Sequence, residues 1–143
     1  MADANITSEL THYPLKQEAY QWTQNMLYVK HSLEKLLHCT FDYVHIHYYR
    51  DGKDYIGWHS DKEAKKKRKN IVASVSLGAP RKFCFRHNEW KQNRTLKKEF
   101  VLPHGSLIVM KDDTQIKWKH TLPKSSKITK PRINLTFRQC GLL

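Results

Sequence analysis

At Phe41 the spacing of apolar residues changes from the period of a helix to the period of a strand, and it does not change back. Before that point Trp22, Met26, Val29, Leu33 and Leu37 recur at intervals of four, three, four and four, one apolar face of a helix. Pro14 stands where proline is tolerated at a helix start, so the pattern predicts a helix over 14–38. Beyond it Phe41, Tyr43, His45, His47 and Tyr49 share one side of an extended segment, with Val44, Ile46 and Tyr48 on the other. Asp51-Gly52 supplies a turn. Strand-like runs follow at Tyr55–His59, Ile71–Leu77, Lys82–Arg86, Leu96–Leu102, Leu107–Met110, Lys117–Leu122 and Arg132–Arg138, punctuated by Gly78, Pro80, Pro103, Gly105, Pro123 and Pro131. One amphipathic helix and about eight short strands predict a mainly β fold, a helix-buttressed antiparallel sandwich or jelly roll.

The length of 143 residues suits a single domain over 1–143. No internal repeat and no linker divides it. Residues 1–13 are mixed and polar, 14–38 form the buttressing helix and 41–139 the β core.

Charge narrows the partners. Twenty-six Lys and Arg against thirteen Asp and Glu give a net charge of +13, which favours polyanions, nucleic acid first and an anionic membrane surface second. A generic basic surface is the plain alternative. No apolar run approaches the ~20 residues a bilayer crossing needs, and the start MADANITSEL lacks a basic-then-apolar leader. Cys39, Cys84 and Cys140 are odd in number and without C-x-x-C spacing. The expectation is an intracellular, reduced protein, in nucleus or cytoplasm, without a membrane role.

His59-Ser60-Asp61 is the first candidate for chemistry. Residues two apart on an extended segment point the same way, so both side chains can address one ion. His120, flanked by Trp118 and Leu122 on a late strand, is a candidate third ligand from across a sandwich. Two histidines and a carboxylate on one face of a metal leave positions open, the arrangement of non-haem Fe(II) oxygenases. On spacing alone, zinc and no metal at all stay open as rivals.

In Arg132-Ile133-Asn134-Leu135-Thr136-Phe137-Arg138 the alternation puts Ile133, Leu135 and Phe137 on one side and the four polar residues on the other. Two guanidiniums on the concave side of a small barrel are costly unless an anion pairs them; a solvent face on an edge strand is the alternative. The two arginines stand about 20 Å apart along the strand. One therefore suits a ligand's far carboxylate while the other reaches back towards the metal end.

Together these parts resemble the AlkB family of Fe(II)/2-oxoglutarate-dependent nucleic-acid demethylases. The same resemblance runs through Tyr49-Arg50-Asp51-Gly52-Lys53-Asp54, Gly57-Trp58-His59-Ser60-Asp61, Val72-Ala73-Ser74-Val75-Ser76-Leu77-Gly78-Ala79, Phe83-Cys84-Phe85-Arg86-His87 and His104-Gly105-Ser106-Leu107. It covers about residues 41–139, is greatest to the animal branch that repairs alkylated DNA, and implies a double-stranded β-helix. It implies that His59, Asp61 and His120 hold Fe(II). Arg132 would bind the distal carboxylate of 2-oxoglutarate, helped by Asn134 and Tyr49, with Thr136 and Arg138 completing the pocket. The implied reaction turns 2-oxoglutarate and O₂ into succinate and CO₂ and hydroxylates an N-methyl group, which leaves as formaldehyde. The implied partner is methylated DNA or RNA, acted on by a monomer, with 1-methyladenine and 3-methylcytosine the leading lesions and the target base out of its stack.

Three departures from the family pattern bear on the expectation. His47 stands where the family has Asn, and an imidazole there still offers the cosubstrate a hydrogen bond. Lys62 replaces a second acid after the metal aspartate, leaving Glu63 to accept from an exocyclic amine of the base. The lid upstream of the helix is reduced to a remnant over 1–13, with Thr7-Ser8 where an aromatic-Ser pair would stack on the base. That loss predicts looser base selection and a preference for single strands, with Trp58 or His59 supplying stacking surface. Lys65, Lys66, Lys67, Arg68 and Lys69 would grip phosphates in place of the lid, or form a solvated loop or localisation signal. The alternatives to a demethylase are a catalytically weakened basic nucleic-acid-binding protein and a protein hydroxylase on the same scaffold.

Overall fold

Among the described residues, the runs of β-branched and aromatic residues after Phe41 form eight strands: β1 (Tyr43–Tyr49), β2 (Ile56–His59), β3 (Val72–Gly78), β4 (Arg81–His87), β5 (Lys97–Leu102), β6 (Leu107–Met110), β7 (Trp118–Leu122) and β8 (Arg132–Arg138). They pair antiparallel into two four-stranded sheets, ordered β1-β8-β3-β6 and β2-β7-β4-β5. Successive strands alternate between the two sheets, except that β4 and β5 form a hairpin within one of them, which is the jelly roll the sequence predicts. The computed structural model describes residue 1, residues 20–61 and residues 71–139. No described helix is long and apolar enough to cross a membrane.

Helix α1 (Gln24–Leu37) buttresses the first sheet. It is shorter at its start than the apolar spacing predicts. The Thr23 hydroxyl accepts from the Met26 amide and caps the helix there, and His38 ends it in the left-handed conformation, φ 52°. Pro14 and Thr7-Ser8 lie outside the described residues. Trp22 keeps the helical spacing without being helical: from the segment before the cap its ring stacks on Phe137, centroids 6.3 Å apart and 7° from parallel. Leu33, Phe41, Val44, Ala73, Leu135 and Phe137 form the core beneath α1, with Met26, Val29 and Leu37 packed against it.

β8 lies between β1 and β3, so it is a central strand and not the edge strand of the alternative reading. Leu135 and Phe137 point under the helix, while Arg132, Asn134 and Thr136 are buried in the space between the sheets. On the facing sheet Ile56 pairs with Leu122 and His59 with His120. Three steps along β2 against two along β7 mark a β-bulge. A short helix that the sequence reading did not anticipate, α2 (Thr114–Lys117), joins β6 to β7.

Two further contacts fix the loops at one end of the sandwich. Arg81, 2% exposed, donates to the carbonyls of Asp51, Asp54 and Pro123 at 3.1, 2.8 and 2.8 Å. Gly52 exchanges backbone bonds with Ser125 and Ile128, and a Cβ there would run into the Ser125 carbonyl. Glycine is required by that close approach.

Candidate metal and anion site

The bulge in β2 turns both Ile56 and His59 inward, onto a cavity of about 270 Å³ between the sheets. His120 comes not from across the sandwich, as its place in the sequence suggests, but from β7, the strand paired with β2 in the same sheet; it and Asp61, just past β2, reach the same space. One donor atom from each of His59, Asp61 and His120 lies within 4.8 Å of the other two. Asp61 Oδ1 is 3.7 Å from Nε2 of His59 and 3.7 Å from Nε2 of His120. Donors each about 2.1 Å from one ion must lie within about 4.2 Å of each other, and these pairs do.

Each of these three side chains is held by a neighbour. His59 Nδ1 donates to the Gly57 carbonyl at 2.8 Å, which leaves Nε2 with its lone pair free for a metal. His120 sits against Phe83 and Phe85, ring centroids 5.5 and 5.8 Å away. Burial, chiefly, and then the proximity of His59 push His120 down to about 4, so its imidazole is neutral and ready to coordinate near pH 7. Asp61 is held from two sides: its amide donates to Gln115 Oε1 at 2.8 Å, and Arg138 Nη2 donates to its Oδ2 at 3.0 Å. The second arginine of β8 thus does reach back towards the metal end.

At the other end of the cavity Arg132 is 3% exposed. Its Nη2 donates to Ser76 Oγ at 2.9 Å and to Asn134 Oδ1 at 3.1 Å, and its guanidinium carbon lies 5.3 Å from the Tyr49 ring centroid. Burial pushes Arg132 down and the Tyr49 phenol up. No carboxylate among the described residues pairs with Arg132, whose Nε has no partner. A buried cation with only neutral partners is a site for an anion. Between the two ends Ser74 donates to Asn134 Oδ1 at 2.7 Å and Asn134 Nδ2 donates to Thr136 Oγ1 at 2.6 Å, which locks the polar face of β8. His47 lines the same wall. Burial and Arg138 push its pKa down, and its buried Nδ1 has no partner, leaving it free for a ligand.

Not every expected site residue gathers here. Trp58 does not line the cavity: the bulge sets it on the opposite face of its sheet, against Arg86. Lys62, Glu63, Lys65, Lys66, Lys67, Arg68 and Lys69 lie outside the described residues. Sequence reasoning missed Ser74, Ser76 and Gln115. The alternation of small polar residues in β3 was a signal for the serines; Gln115, in a four-residue helix, had none.

The sequence model of the 2OG-Fe(II) oxygenase superfamily matches residues 5–138. The chain belongs to that superfamily. Its cofactors are Fe(II) and 2-oxoglutarate, and the residues present fit both: two imidazoles and a carboxylate for the ion, and a buried guanidinium without a carboxylate partner for a dicarboxylate. Among curated relatives the chain is 42% identical over 104 residues to "DNA oxidative demethylase ALKBH2" of Bos taurus, covering 70% of this chain and 37% of that one. It is 37% identical over 122 residues to "Alpha-ketoglutarate-dependent dioxygenase alkB homolog 3" of Bos taurus, covering 82% and 43%. The chain therefore spans about two-fifths of the length of these relatives. Among solved structures "The structure of OsALKBH1" superposes with a TM-score of 0.53 at 20% identity, over 70% of this chain and 50% of that one, a likeness of fold.

Proposed function

We propose that this oxygenase demethylates N-alkylated bases of DNA or RNA, with 1-methyladenine and 3-methylcytosine as leading substrates, releasing formaldehyde, succinate and CO₂. The observation that carries the reading is the convergence of His59, Asp61 and His120 on the same cavity that Arg132 closes at its far end. The relative named as a DNA oxidative demethylase and the net charge of +13 support a nucleic-acid substrate.

In this reading Arg132, Ser76 and Tyr49 bind the far carboxylate of 2-oxoglutarate, with Asn134, Thr136 and His47 along its length. Arg138 holds Asp61 in place, and His59, Asp61 and His120 hold the ion. Fe(II) with 2-oxoglutarate supplies the oxidising power for hydroxylating a methyl carbon; the hydroxymethyl group then leaves as formaldehyde. The apolar wall of Ile56, Phe83 and Leu122 limits water in the cavity, and fixed hydrogen bonds orient the groups before substrate arrives. The base leaves its stack to reach the site.

The test is a panel of methylated single- and double-stranded DNA and RNA oligonucleotides, read by mass loss per demethylation and by formaldehyde and succinate released. Equal formaldehyde and demethylated product, abolished by Asp61→Ala, is the expected result. No turnover of any oligonucleotide with fresh Fe(II) and 2-oxoglutarate would overturn the proposal in favour of a basic binding protein.

A further inference from the structure

The outer face of the second sheet carries charge that folding does not call for. In its register Arg86 stands opposite Lys97 on one side and Lys119 on the other, so β5, β4 and β7 present three cations in one row. Alternation turns the row outward: Phe85 and His120, next to it in sequence, pack inside, whereas Cys84 and Thr121, two residues along, line a groove on the outer surface. Like charges directly opposite across strands are destabilising. Among the described residues the row has no acidic partner, since Glu99 in the groove pairs with Lys82 at 3.3 Å.

Two indoles stand among these cations. Arg86 lies 4.3 Å from the Trp58 ring centroid and 5.1 Å from that of Trp90, and Lys97 lies 4.2 Å from Trp90. Trp58 keeps 38% of its surface open. An array of alternating cations and aromatic rings matches alternating phosphates and bases, the pattern of single-strand binders. The array also sits level with the metal donors. Lys119 precedes His120, Arg86 follows Phe85 and Trp58 precedes His59, one sheet thickness away, and β2 is the edge of that sheet. A strand leaving the cavity over that edge meets the array.

We propose that Lys97, Arg86 and Lys119, with Trp58 and Trp90, form a track for the unpaired nucleic-acid strand that flanks the target base. The inference rests on the nucleic-acid reading above and moves Trp58 from stacking on the target base to stacking on a neighbour. Its test is titration of the metal-free protein with an unmodified oligothymidylate twelve-mer, followed by tryptophan fluorescence across a salt series. Each phosphate neutralised on a single strand adds about 0.7 to the log–log salt slope, so the triple variant Lys97→Ala, Arg86→Ala, Lys119→Ala is expected to lower the slope by about 2. Trp58→Leu is expected to reduce the quench and leave the slope. Unchanged Fe(II) affinity in the triple variant separates these losses from misfolding. An unchanged slope, or polyglutamate bound as tightly as the oligonucleotide, would overturn the track. The titration needs neither metal nor turnover, so a protein that binds with the expected slopes and demethylates nothing would contradict the catalytic reading alone.

Discussion

Arg138 donates to Asp61 across the sandwich at 3.0 Å, joining the last strand of one sheet to the residue just beyond the bulge of the other. The same guanidinium lies 3.1 Å from His45 Nδ1 through Nη1, so its fork is fixed at both tips. In the proposed function Arg138 is therefore a positioning residue for the Asp61 carboxylate. Outer partners of metal ligands typically contribute 10–100-fold to affinity, and Lys cannot reproduce a planar fork. Arg138→Lys is expected to weaken Fe(II) binding by about tenfold or more in anaerobic titration, with the fold intact by circular dichroism.

If the proposed function is right, substitution of Arg132 separates cosubstrate binding from metal binding. Arg132→Met removes the buried cation but leaves His59, Asp61 and His120 untouched. Losing one partner of a buried charge pair costs about 2–5 kcal/mol, so 2-oxoglutarate affinity is expected to fall by at least about thirtyfold. Fe(II) affinity measured without cosubstrate should stay near wild type.

His120 makes the metal-free protein sensitive to acid. Its folded value, about 4, lies below the ordinary 6.5, so as pH falls the unfolded chain takes up the proton first. Stability is full above pH 6.5, is lost as pH falls towards 4, and then levels off. The loss is on the order of 3 kcal/mol at about 1.4 kcal/mol per pKa unit. Urea midpoints of the metal-free protein at pH 7 and pH 4.5 should differ accordingly, and His120→Gln should narrow the gap.

Phe137 supports the site from behind. It is fully buried, with Trp22 on one side and Phe41 at 5.9 Å on another, and it anchors the apolar face of the strand whose other face carries Arg132, Asn134 and Thr136. Phe137→Ala is expected to cost about 3–5 kcal/mol, measured by urea denaturation.

The face of β8 was legible in the sequence because strict alternation survives in a regular central strand. The jelly roll was legible because turn residues such as Asp51-Gly52, Gly78, Pro103 and Pro123 separate several of its short strands. Helix α1 was legible in its packing face but not in its start: Trp22 fits the apolar spacing because it covers the same core, and only the Thr23 cap shows that it does so from outside the helix. The placement of Trp58 was not legible. Simple alternation from Ile56 puts Trp58 inside and His59 outside, and the extra residue of the bulge reverses both. Gln115 was hidden for another reason: it touches Asp61 across 54 residues of sequence, and no local pattern announces a contact of that span.

The most direct measurement is anaerobic titration of the protein with Fe(II) and then 2-oxoglutarate, followed by the visible charge-transfer absorption of a keto acid on ferrous iron. A saturable band is expected for the wild type, a band needing far more 2-oxoglutarate for Arg132→Met, and none for Asp61→Ala. An Asp61→Ala protein that develops the wild-type band at wild-type concentrations would contradict the proposed site.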